Sequence, residues 1–195
     1  MSICSIGLEE PNRSARIENG RDGAPFFFLM IAIERITPGN ALVFKTIRLR
    51  ALQSDPTAFG STYAKESQLS DEEWVKRSRR WNSDGSIGYL AVDGDNECGL
   101  VACYTDEQDS QRAHVISMWV DPAWRRAGVG TVLIDGLKAW TSARHVRELV
   151  LMVTHVNTGA IGFYERLGFR KTGKTEPYPN DPAITEYEML LSLSS

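Results

Sequence analysis

Apolar positions recur at two different periods along this chain, and the switches between them mark its elements. Val43, Phe44, Ile47 and Ala51 fall at helical spacing behind Asn40, a residue type that caps helix N-termini, and Asp55-Pro56 closes the segment. Residues 61–68 read as a short helix. Ser70, with Glu73 three places on, forms a capping box ahead of Trp74 and Val75, so another helix is expected up to residue 81. The period then drops to two. Residues 87–92 and 98–104 read as strands, and Asp93-Gly94-Asp95-Asn96 between them is a hairpin signal. Asn82-Ser83-Asp84-Gly85 reads as a turn and residues 106–112 as a polar loop.

The second half alternates strand and helix. Residues 114–120 form an apolar run, and Val129, Val132, Leu133, Leu137 and Trp140 recur at helical spacing over residues 128–144. Residues 149–153 are apolar on both faces, as a central sheet strand should be. Residues 157–167 are helical and stop at Gly168. Residues 169–172 and 186–193 read as closing antiparallel strands around a Pro-rich loop, residues 177–182. With a first strand at residues 31–36, the pattern predicts a mixed α/β or α+β fold, with helices packed on one central sheet.

Residues 1–25 are polar and aperiodic and read as a disordered leader, leaving residues 26–195 as a single domain. Met30 stands just ahead of the first strand and is a candidate biological start. The apolar run at residues 24–33 is too short to span a bilayer, and the acidic residues Glu9, Glu10, Glu18 and Asp22 before it fit a signal peptide poorly.

The 195 residues suit one domain with a sizeable core. The net charge of −3 gives no electrostatic case for nucleic acid or an anionic membrane. Cys4, Cys98 and Cys103 are odd in number and lack metal-like spacing, so neither a disulfide framework nor a metal site is expected, and a reducing, cytoplasmic location is. Cys98 and Cys103 fall in an apolar run and read as small core residues. Exposed apolar strand edges leave a homodimer open.

Candidate chemistry sits where the strand at residues 114–120 meets the following helix. Val120-Asp121-Pro122-Ala123-Trp124-Arg125-Arg126-Ala127-Gly128-Val129-Gly130 is a strand end, a turn, a basic pair and two glycines opening a helix. A helix start offers unpaired N–H donors and a partial positive charge, which suits a phosphate. Gly128 and Gly130 keep side chains clear, and Arg125 and Arg126 add cationic donors. The stretch is neither a GxxxxGK[ST] loop nor a full GxGxxG fingerprint, because Leu133 stands where the third glycine belongs.

A second segment runs Asn157-Thr158-Gly159-Ala160-Ile161-Gly162-Phe163-Tyr164-Glu165-Arg166-Leu167-Gly168-Phe169. Together the two resemble the GNAT superfamily of acetyl-CoA-dependent N-acetyltransferases. Arg125, Gly128 and Gly130 match its R/Q-x-x-G-x-G/A loop, and Asn157, Ala160, Tyr164, Gly168 and Phe169 match its N-x-x-A-x-x-x-Y-x-x-x-G-F stretch. The clear match covers residues 113–193, and residues 48–62 are similar to the first helix and following loop of some members.

The resemblance implies a mostly antiparallel, twisted sheet in which two parallel strands, residues 114–120 and 149–153, splay apart around the cofactor. It implies acetyl transfer from acetyl-CoA to a primary amine of a small molecule or peptide. Protein N-terminal or lysine acetylation, or a non-catalytic acyl-CoA sensor, are the alternatives. Backbone N–H groups of Arg126, Ala127, Gly128, Val129 and Gly130 would cradle the pyrophosphate, with Arg125 beside them. Met118, Trp119 and Val120 would pair with the pantetheine arm. Asn157 would cap its helix or bond that arm. Tyr164 would be the general acid, since a phenol suits a leaving thiolate. Some relatives place a glutamate five positions before the motif asparagine, where this chain has Met152. The base therefore stays open between His114, Glu66 and a water chain from Ser117. The acceptor site is expected from residues 55–81 and 178–182, with Tyr63, Trp74, Trp81 and Tyr178 as walls.

Overall fold

Alternating burial along the strands builds the sheet. The computed structural model describes residues 15–17 and 29–193. Its strands are β1 (Ala15–Ile17), β2 (Leu29–Arg35), β3 (Asn82–Ser83), β4 (Ser86–Asp93), β5 (Asn96–Thr105), β6 (Arg112–Val120), β7 (Glu148–Thr154), β8 (Arg170–Tyr178) and β9 (Asp181–Ser192). Its helices are α1 (Ala41–Ser54), α2 (Tyr63–Glu66), α3 (Asp71–Arg80), α4 (Val129–Ser142) and α5 (Thr158–Arg166). The strands order as β1-β2-β4-β5-β6-β7-β9-β8, with β3 paired to β4.

Neighbouring described strands are antiparallel except β6 and β7. That parallel pair is in register at Arg112↔Glu148, Ala113↔Leu149 and His114↔Val150, and then parts. The fold is α+β with one splayed parallel pair, as expected.

Two hydrophobic cores lie on opposite faces of the sheet. Leu133, Ile134 and Leu137 of α4 and Ile161 and Tyr164 of α5 pack on one face against Val101, Val115, Leu149 and Leu151. Phe44, Ile47, Ala51 and Leu52 of α1 and Trp74 of α3 pack on the other against Leu90, Leu100 and Trp119. Cys98 and Cys103 are fully buried, and burial pushes their thiols up to about 11 and about 12, as inert core residues require.

Several boundaries moved for identifiable reasons. Within the expected leader, Ala15–Ile17 is a strand paired with β2, and the rest of residues 1–25 lies outside the described residues. Asn40 precedes α1, but its Oδ1 accepts from Thr37 N–H (2.7 Å), so it caps the preceding Pro38–Asn40 turn. Val43 is exposed, and Arg48 occupies the buried face instead. The Pro-rich loop shrinks to a tight turn, because β8 runs through Pro177 to Tyr178 and β9 starts at Asp181. Pro177 is tolerated because β8 is an edge strand with a register shift at that point. The capping box at Ser70 and Glu73 and the Asp93–Asn96 hairpin form as expected.

Candidate active site

Past the last β6–β7 pair, β6 carries one extra residue relative to β5. Leu100 faces Trp119 and Ala102 faces Ile116, so Ser117 and Met118 together oppose Val101. This is a β-bulge, and Ser117 takes φ 55°, a left-handed value unusual for serine. Past the bulge the strand is regular. Asp121 N–H donates to Cys98 O on β5 (2.9 Å). Backbone groups alternate along a strand, so those of Met118 and Val120 face away from β5, into the gap. Val120 O accepts from Arg125 Nε there (2.9 Å).

The chain then makes a short turn at Pro122–Trp124 and enters α4. Arg126 (φ 64°) and Gly128 (φ 82°) both adopt left-handed conformations just before the helix. Thr131 N–H is bonded to Gly128 O (2.9 Å), so the amides immediately before it are the helix's free donors. They carry the positive end of the helix dipole. A Cβ on Gly130 would stand 2.8 Å from Phe163 Cζ and 3.2 Å from Met118 Cε. Gly130 therefore lets α4, α5 and β6 meet at the head of the gap.

α5 closes the gap. Asn157 Oδ1 accepts from Ala160 N–H (3.1 Å), which caps the helix. Tyr164, two turns on, sits between Phe163 and Phe169 with ring centroids 5.3 and 5.4 Å away. Burial pushes its phenol above the ordinary value near 10, so it stays neutral through the working pH range.

These parts enclose a cavity of about 810 Å³. Met118, Trp119, Val120, Arg125, Arg126, Gly128, Gly130, Asn157 and Tyr164 line it, which brings most of the expected cofactor residues together. Ala127 and Val129 are not in the lining, and the Val129 side chain is core. Arg125 is committed elsewhere: Nη2 donates to Asp55 Oδ2 (2.5 Å) while Nε holds Val120 O.

Each candidate base is also engaged. His114 lies at the closed end of the β6–β7 pair, outside the lining. Its Nε2 is 2.8 Å from Asp106 Oδ2, and its ring stacks on Tyr104 at 5.0 Å. Four residue steps of strand, roughly 13 Å if extended, separate it from Met118. Glu66 is 3% exposed and accepts from Arg48 Nε (3.1 Å) and Nη2 (2.9 Å), with Arg77 Nη1 at 3.1 Å. Although burial opposes its charge, these arginines and Ser61 hold its carboxyl below the usual range, which makes it a poor base. Ser117 Oγ is 3.3 Å from Arg48 Nη1. Of the expected acceptor walls, Trp74 is fully buried core against Phe44. Tyr178 is buried and donates its hydroxyl to Phe59 O (2.7 Å), clamping the β8–β9 turn onto the segment after α1, while Tyr63 is exposed.

Two features escaped the sequence reading. Asp55 read as a helix stop and the edge of the acceptor region, yet its Oδ2 collects the Ser54 hydroxyl, Trp119 Nε1 (2.7 Å) and Arg125 Nη2, so it joins α1, β6 and the glycine loop. These donors hold its carboxyl below the usual range despite its partial burial. Glu188 faces Met152 across the β7–β9 ladder, one strand from the gap. Neither pairing has a local signature.

The sequence model of the acetyltransferase (GNAT) family matches residues 49–169. The chain belongs to this family. It is 36% identical over 161 residues to a peptidyl-lysine N-acetyltransferase of Salmonella typhimurium, spanning 77% of this chain and 95% of that protein. It is 36% identical over 108 residues, 51% of its length, to an N-acetyltransferase of Methanocaldococcus jannaschii, and the match spans about half of that relative (47%). The fold matches an N-acetyltransferase from Thermoplasma acidophilum in complex with coenzyme A, with TM-score 0.67, 14% identity, and 84% of this chain and 99% of that one covered. Among the described residues no helix is long and apolar enough to cross a membrane.

Proposed function

We propose that this chain transfers an acetyl group from acetyl-CoA to a primary amine. One observation carries the reading: the β6–β7 gap opens directly onto the free amides at the start of α4, with Tyr164 in the same cavity. The amides from Arg126 to Gly130 suit a pyrophosphate, and the Met118 backbone and Val120 N–H, which face the gap, suit an amide-rich arm. Met118 N–H, aimed into the gap, serves the oxyanion that forms when an amine attacks the thioester carbonyl. Tyr164 donates its proton to the departing thiolate. The dry setting that keeps its phenol neutral also raises the basicity of a thiolate formed beside it.

The reading assigns no side chain as base, because His114 lies outside the cavity and Glu66 and Ser117 are tied to Arg48. The ammonium loses its proton to water, and the ascending limb of the rate–pH profile then follows the acceptor's own pKa.

Thiol release from acetyl-CoA against small amines, polyamines, amino acids and short peptides tests the reading. A saturable, amine-dependent rate supports it. Coenzyme A binding by calorimetry with no amine-dependent rate favours a sensing module. A second reading narrows the acceptor to a peptide lysine, supported by the name and coverage of the Salmonella relative. A lysine-containing peptide turning over faster than the free amines would bear it out.

A further inference from the structure

We propose that a buried relay, Glu66–Arg48–Ser117, positions the Met118 amide that polarises the thioester, and so couples the acceptor-side helices to the transfer step. This inference rests on the acetyl-transfer reading.

The extra residue of the β6 bulge decides where the next amide points, and Ser117 holds it at φ 55°, where serine gains nothing from its own backbone preference. Something outside the strand must favour that conformation. The contact that reaches it from outside the strand is Arg48 Nη1, 3.3 Å from Ser117 Oγ. Arg48 is 8% exposed, an uncommon state for a guanidinium, and lies 4.5 Å over the Phe59 ring. Glu66 receives both Nε and Nη2 in a two-pronged bridge. Glu66 in turn ends α2, a single turn of helix on the acceptor side, and reaches Arg77 of α3.

A bridge buried this deeply is a poor device for stability alone, since desolvating the ions offsets much of their attraction. It is a good device for fixing an angle. The planar fork fixes the guanidinium, and the guanidinium fixes the bulge. Arg48 and Glu66 act through Ser117 on Met118, and are positioning residues.

Ser117→Gly removes the hydroxyl while tolerating φ 55°, so the variant folds. With wild-type protein alongside, the expected result is a kcat about tenfold lower, the scale of one hydrogen bond to a charged group. KM for acetyl-CoA and coenzyme A affinity stay within about twofold, because the α4 amides are untouched. Glu66→Gln lowers kcat in the same direction, and the double variant is no slower than the slower single, because both act on one link.

Infrared difference spectra of bound acetyl-CoA, labelled at the thioester carbonyl, give a readout that needs no acceptor. The wild-type red shift shrinks in both variants. An undiminished carbonyl shift, or additive losses of kcat, overturns the relay. A wild-type protein showing neither carbonyl shift nor amine-dependent turnover overturns the acetyl-transfer reading itself, and the relay's purpose with it.

Discussion

The wall of the cavity formed by α4 and α5 presents backbone, whereas a second wall, the layer of α1, α2 and α3 on the other face of the sheet, is held by ionised side chains. On the first wall the working groups are amides at a helix start and in a bulged strand, kept open by Gly128 and Gly130. Its buried phenol, Tyr164, is neutral. On the second, Asp55 collects three donors and Glu66 is gripped by two arginines, both carboxyls held low. A backbone wall is sensitive to added bulk. A charged wall is sensitive to truncation and to acid.

Adding bulk should do the most damage on the first wall. Gly130→Leu drives a side chain into Phe163 and Met118, and coenzyme A affinity by calorimetry should fall on the order of a hundredfold or more. Overpacking should cost a further ~1–3 kcal/mol of stability. Retained affinity would remove the backbone-cradle account. Tyr164→Phe keeps the ring and removes the proton, and kcat should fall about a hundredfold with little change in KM. Wild-type turnover in this variant up to high pH would show that Tyr164 is not the acid.

On the second wall truncation should dominate. Glu66→Ala leaves Arg48 buried without its partner, and chemical denaturation should show a loss of about 3–5 kcal/mol. The same wall predicts an acid limb. Asp55 and Glu66 have folded-state values below their ordinary 3.8 and 4.5. Their contribution is therefore complete above about pH 4.5 and lost as pH falls through the depressed values. The melting temperature should drop on acidification below pH 4.5, and Asp55→Asn should flatten that drop. A pH-independent melting temperature between 3 and 7 would contradict the charged-wall picture.

The smallest effect belongs to a residue that serves both local structure and the cavity. Asn157→Ala should cost about 1 kcal/mol through the lost α5 cap, measured by thermal melting.

The asymmetry between the walls also explains which of them could be read in advance. Gly128, Gly130, Asn157 and Tyr164 carry their roles in local spacing, because a helix start, a cap and two turns of one helix face are short-range geometry. The second wall depends on pairs far apart in the chain: Arg48 with Ser117, Asp55 with Trp119 and Arg125, Tyr178 with Phe59. Arg48 on a helical face looks like a solvated cation, and only Glu66 of α2 and the Phe59 ring, brought against it by the fold, reveal a buried one.

From sequence alone came the α+β class, the strand–loop–helix that opens the gap, the hairpin at Asp93–Asn96 and the residues that gather around the cavity on the α4–α5 side. Periodicity, caps and glycines determine these within a few turns of chain. Tertiary structure alone decided that His114 is paired with Asp106, that Arg125 is tied to Asp55, that Pro177 lies in an edge strand and that a bulge at Ser117 aims the next amide. Each depends on which strand or helix lies alongside, and hydrogen bonds across tens of residues leave no mark in local pattern.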